Sequence, residues 1–410
     1  MKRTRFMSLA FALTTSSVLL VGCASTASDS EDPTAVSTTA ENASRTPRLA
    51  ISYDGGVRVL DAATLEQVAD LPLDGFLRLN GAGDSRHVFV TTDSGFQVLD
   101  AGTWTERHGD HSHYKTAAPS FTGMTFAGSE PGHVVPHQSR ITLFFDGSGE
   151  VKVVDPADLT KSAVPSNDYR APHAHHGVAV SRPDGSLVIT QGDEDRRTGV
   201  AVLTRDRRPI ASVDTCPGVH GEAAAADGVL TFGCEDGIVI VHGNDIQKVS
   251  APDEYGRIGN VRGSETSPIV LGDYKTQENL PEGTIERPRR FSLTDTRTAS
   301  LRIVDLPTSY SFRSLARGPH NEAVILGTDG SLYVFDVESG KQIAAHQVID
   351  AWSEPVEWQQ PMPSVTVLGD IAYVSAPATR TVHAVDIASG REIAKADIGV
   401  QPVETVAVAG

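Results

Sequence analysis

Ala323-Val324-Ile325-Leu326, the turn Gly327-Thr328-Asp329-Gly330, and then Leu332-Tyr333-Val334-Phe335-Asp336 form the unit that decides the fold. An apolar run reaches a tight turn, and an alternating run follows and ends in Asp, the pattern of a β-hairpin in a sheet. The same unit recurs upstream at residues 50–53 with 57–61, 88–91 with 96–100, 143–145 with 151–155, and 188–190 with 200–203. It returns at 230–232 with 238–241, at 269–271 with 301–305, and finally at 372–375 with 382–386. Asp61 and Asp386 lie 325 residues and seven steps apart, a mean of about 46, which matches one four-stranded blade. The fold class is therefore all-β, a β-propeller. A pair of β-sandwiches would lack so long a fixed period. Eight blades are expected, and seven is the alternative, because a charged insertion at 274–297 blurs one repeat. Residues 402–409 read as one more inner strand with no hairpin after it, while the first hairpin lacks an inner partner. The C-terminal strand is thus expected to complete the first blade and remove two open sheet edges.

The composition agrees with such a body. Of 410 residues, 37 are Gly and 23 Pro, too many interruptions for long helices, and 39% are hydrophobic, enough for a core. Lys and Arg total 35 against 52 Asp and Glu, for a net charge of −17, so no electrostatic grip on nucleic acid is expected. A cation is the more natural guest.

The N-terminus reads as an address. Lys2, Arg3 and Arg5 precede an apolar run at 6–21 that ends in Leu20-Val21-Gly22-Cys23. This resembles a bacterial lipoprotein signal: residues 1–22 form the signal peptide and Cys23 is the lipidation site. Residues 23–46 are poor in large apolar side chains and are expected to be a flexible tether, with a single propeller domain at 47–410. The expected location is extracytoplasmic, on the periplasmic or outer face, with a monomer held to the cell membrane by its lipid alone.

Histidines mark the ring. His133, His176 and His220 each precede an inner strand, 43 and 44 residues apart, one blade per step. Three successive blades would then present an imidazole at one height around the channel mouth, a ligand set for a borderline divalent cation. His108, His111 and His113 lie in the connection from the second to the third blade, and His173 and His175 end the next. These connections are expected to empty onto the same rim, and the His108–His113 loop reads as a second, looser capture site or, as an alternative, as a solvated polar stretch. Glu222 sits two residues beyond His220 and reads as a carboxylate ligand, as an acceptor that holds a ligand imidazole, or equally as a solvated side chain. His87, His137, His242, His320, His346 and His383 read as structural or solvated. Cys216 and Cys234 fall at one face on adjacent strands, so a disulfide is expected in an exported protein, with a two-Cys metal site as the rival.

The motifs His-x-His-Tyr at 111–114, Pro-His-x-His-His-Gly at 172–177 and Cys-Pro-Gly-x-His-Gly-Glu at 216–222, together with the leader and the propeller body, resemble the AztD-type zinc metallochaperones. The resemblance implies zinc as the bound metal, a partner in the solute-binding protein of a zinc ABC transporter, and no enzymatic activity. The lipobox Cys23 departs from a freely diffusing form and implies work at a membrane surface. No Gly-rich phosphate loop and no Gly-x-Ser-x-Gly elbow is present. The alternatives are a propeller metalloenzyme that uses the same His rim with one open coordination position, and a protein-docking propeller without metal.

Overall fold

The computed structural model describes residues 39–161 and 164–410, so the expected signal peptide at 1–22, Cys23 and most of the expected tether lie outside the described residues. Among the described residues, besides a ninth, three-stranded sheet that stands apart, eight sheets each have four principal antiparallel strands and succeed one another along the chain. In each, the two middle strands are nearly sealed from water, as in His87–Thr92 and Gly95–Asp100. Outer strands such as Gln67–Pro72 alternate between half-buried and exposed positions. A middle strand must pack on both faces and so reads as a continuous apolar run, whereas an outer strand needs only one apolar face.

Apolar seams between neighbouring sheets hold the body together. Phe89, Phe96, Leu143 and Phe145 fill the seam between the sheets at 78–127 and 131–170. Val188, Val202, Phe232 and Val239 fill a later one. Leu49, Ile51, Tyr373 and Val382 join the last sheet to the first and close the circle. The C-terminal strand Thr405–Val408 completes the first sheet, pairing antiparallel with Arg48–Tyr53 so that Arg48 faces Val408 and Ile51 faces Thr405. The last strand of the chain therefore sits in the first sheet, and neither inner edge is left open. Such closed repetition of four-stranded sheets defines a β-propeller.

Three details differ from the sequence reading. Ile269–Asp273 pairs with Arg290–Asp295, and the run at 301–305 belongs to the outer strand Ser300–Asp305. The long loop after Asp273 separates the true hairpin partners, and the outer strand mimics the alternating pattern. The expected tether ends earlier than residue 46, since Ala40–Asn42 forms a strand against His111–Thr116. Edge pairing satisfies backbone groups without any apolar side chain, which composition alone does not reveal. Finally, Thr103–His108 and His111–Thr116 form a separate hairpin between the third strand Gly95–Asp100 and the outermost strand Ser120–Ala127 of one sheet, not between two sheets.

Candidate metal centre

Antiparallel order fixes which side chains meet. An inner strand starts at one end of the ring, which we call the rim; the turn between second and third strands returns there, and the turn between third and fourth strands opens at the opposite end. His133 lies near the start of the inner strand Pro131–His137, and His220 opens the inner strand His220–Ala224. His176 lies just ahead of Ala179–Ser181, the inner strand of the sheet between them. One ring nitrogen from each of the three lies within 4.8 Å of the others. The ring centroids are 4.9 Å apart for His133 and His176, 5.6 Å for His133 and His220, and 5.0 Å for His176 and His220.

The local backbone explains the convergence. Register slips between Pro131 and His133 in one sheet and between His220 and Glu222 in another, and such bulges re-aim side chains at a rim. A glycine adjoins each histidine. Gly221 has φ of +68°, and a Cβ there would meet the Gly259 carbonyl oxygen at 2.4 Å. A Cβ on Gly132 would lie 2.2 Å from Asp146 Oδ1. These positions leave room for the groups that hold the imidazoles.

Two of the rings are held from behind. His220 Nδ1 donates to the Gly259 carbonyl at 2.6 Å; a carbonyl can only accept, so the lone pair sits on Nε2. His176 Nδ1 lies 2.5 Å from Asp146 Oδ2, and Gly177 N–H donates to Oδ1 of the same carboxylate at 3.2 Å. Asp146 stands in the turn between the second and third strands of the preceding sheet, at the rim. The third ring, His133, has a buried Nδ1 with no hydrogen-bond partner among the described residues.

The electrostatics favour neutral imidazole. Burial pushes the His133 pKa well below its ordinary value, with His220, His176 and Arg78 acting the same way. Burial also pushes His220 down to about 3; the Gly259 carbonyl opposes this, while His176, Arg257 and Arg197 add to it. Neutral rings are the ligating form, and three of them can hold a borderline divalent cation at about 2.0–2.1 Å per bond.

The other sequence candidates separate. His108, His111 and His113 form a second group, again with ligand atoms within 4.8 Å of one another, but on the hairpin rooted at the opposite end of the ring. Thr105 of that hairpin donates to the carbonyl of the C-terminal Gly410, which lies beyond the far end of the inner strand Thr405–Val408. The expectation that this loop empties onto the rim is therefore corrected: a connection from third to fourth strand opens away from it. In this group His111 Nε2 and His113 Nε2 are 3.1 Å apart, and His113 Nδ1 lies 2.7 Å from Glu41 Oε1. Hydrogen bonds from His113 and then from Lys115 hold the Glu41 carboxyl down at about 2. His173 is exposed and stands outside both groups. His175 is buried, with one ring nitrogen 3.0 Å from the His173 carbonyl and the other 3.1 Å from Thr190 Oγ1, so both nitrogens are engaged. Glu222 lines the channel below the triad without joining it, and burial pushes its carboxyl up to about 7. Cys216 and Cys234 form a disulfide, so the two-Cys metal site does not arise. His87 and His383 are fixed by the carboxylates of Asp84 and Glu392.

Sequence reasoning missed Asp146, Gly259 and Glu41. Phe145-Asp146-Gly147 reads as an ordinary turn, and only its position, one sheet before His176 at the rim, marks the carboxylate as a partner.

A closed β-propeller with a rim of three converging histidines is the class that fold and site define. No family model matches the chain. It is 25% identical over 366 residues to the zinc chaperone AztD of Citrobacter koseri, which covers 86% of this chain and 84% of that protein. The crystal structure of Citrobacter koseri AztD superposes with a TM-score of 0.78 at 24% identity, covering 89% of this chain and 98% of that one. The apo form of AztD from the same organism gives a TM-score of 0.76 at 23% identity, with the same coverage of 89% and 98%. The chain is thus similar to AztD over most of its length, as the motifs around the histidines suggested.

Proposed function

We propose that this protein is a zinc chaperone: it captures Zn²⁺ at His133, His176 and His220 outside the cytoplasm and passes it to the solute-binding protein of a zinc ABC transporter. The observation that carries this reading is the convergence of three imidazoles from three successive sheets, two of them held at Nδ1 by Asp146 and by the Gly259 carbonyl so that Nε2 is left for a metal. Kinship with a protein named as a zinc chaperone, and not as an enzyme, supports cargo transport over catalysis. His108, His111 and His113 supply a second capture site, steadied by Glu41, at the other end of the ring. Cys23 anchors the mature chain to the cell membrane by its lipid, and the chain acts as a monomer.

Ligand exchange is the chemistry required. The partner's ligands replace the imidazoles one at a time, and the exposed ring of His176 is the natural first to leave, its side chain being 44% accessible. The test is a competitive zinc titration of wild type beside the variant H133A/H176A/H220A, followed by transfer to the purified solute-binding protein. Wild type binds zinc tightly and transfers it faster than the ion is lost spontaneously. Equal affinity in the triple variant, or transfer no faster than free dissociation, would contradict the proposal.

A further inference from the structure

Below the triad the central channel holds a cavity of about 490 Å³ that His133 and His220 also line. Its charged lining is Arg78, Arg262, Arg313 and Arg317 against Glu222 and Glu404. Four guanidiniums facing two carboxylates is an unexpected balance in a chain whose net charge is −17. The Glu404 carboxylate is already shared: it accepts from Arg78 at 3.2 Å, from Arg313 at 3.4 Å and from Leu79 N–H at 2.8 Å. Arg262 donates only to the backbone carbonyls of Leu315 and Val261, at 3.1 and 2.9 Å. Arg317 likewise meets only carbonyls. Among the described residues no carboxylate lies within ion-pair distance of either. Arg313 is 7% exposed, and its Nε, like that of Arg317, is buried with no partner among the described residues.

Uncompensated guanidiniums are costly to hold in a partly closed channel, and the planar guanidinium fork matches a carboxylate or phosphate better than any other small group. We propose that this channel binds one small oxyanion, a carboxylate or a phosphate, between Arg262 and the neighbouring guanidiniums. A cavity of this volume suits a metabolite-sized anion. The site is distinct from the metal ligands and goes beyond the zinc reading, although an anion held here would stand next to a cation on the triad.

The test uses the mature protein stripped of zinc, so a failed zinc site leaves it intact. Isothermal titration with inorganic phosphate is one arm and with citrate the other, and the arm that saturates identifies the source chemistry. One anion is expected per chain. Arg262→Gln should weaken it about tenfold or more, the loss of one charge-assisted pair, and Arg262→Lys should fall between. Arg262 forms no ion pair but ties the Leu315 and Val261 carbonyls, so a melting curve accompanies each titration to show that R262Q is folded, and R262Q/R317Q provides a second variant that spares the buried Arg313. Saturation by neither anion, or wild-type affinity in both variants, would overturn the proposal.

Discussion

Asp146→Asn is the sharpest perturbation of the metal centre, because it preserves shape and removes one charge. The native carboxylate accepts twice, from His176 Nδ1 at 2.5 Å and from Gly177 N–H at 3.2 Å. An asparagine cannot do both. If its oxygen faces His176, its NH₂ meets the Gly177 N–H, donor against donor. If its NH₂ faces His176, Nδ1 becomes the acceptor and the proton moves to Nε2, where the metal should bind. Either way one of three ligands is misaligned or blocked. Loss of such a carboxylate behind a ligating histidine typically costs about 10–100-fold in metal affinity, or roughly 1.4–2.7 kcal/mol. The assay is competition with a chromogenic zinc chelator at fixed pH and salt, with melting curves to show that both proteins are folded. An Asp146→Asn affinity within about threefold of wild type, with the fold intact, would refute the claim that Asp146 orients His176.

Three further outcomes are expected. Gly221→Ala should both destabilise the protein and weaken zinc binding, since φ at 221 is +68° and its Cβ would press the carbonyl that fixes His220; thermal melts and the same competition assay read the two effects. Acid should act on folding and on binding with one sign. His133 and His220 have folded pKa values below the ordinary 6.5, so the unfolded chain takes up protons that the folded chain refuses; stability present above 6.5 is lost as pH falls toward about 3. Two ordinary imidazoles would cost zinc affinity about a hundredfold at pH 5.5, whereas this pair should cost clearly less, as a pH series of titrations would show. Breaking Cys216–Cys234 with paired serines should lower stability by about 3 kcal/mol, by the chain-entropy account of a closed loop of this size, as denaturant melts with and without reductant would measure.

The parts of the fold that repeat were legible in the sequence. Strands such as His87–Thr92 and Ile371–Ala376 pack on both faces and so announce themselves as apolar runs, and their spacing yields the propeller. The triad was legible for the same reason, since a residue recurring at the blade period must recur at one height on the ring. What escaped reading depends on contacts between distant segments. Nothing in residues 103–116 tells that this hairpin leaves the ring between the third and fourth strands of one sheet, and that topology alone sends His108, His111 and His113 to the far end. His175 looks like a ligand until Thr190 and the His173 carbonyl are seen to use both nitrogens. Asp146 looks like a turn former until the next sheet brings His176 onto it.

Anomalous diffraction at the zinc edge, from crystals grown with one equivalent of zinc, tests the central claim most directly. A three-histidine site predicts a strong peak about 2.0–2.1 Å from one nitrogen each of His133, His176 and His220. Zinc found elsewhere on the molecule, with that position empty, would contradict it.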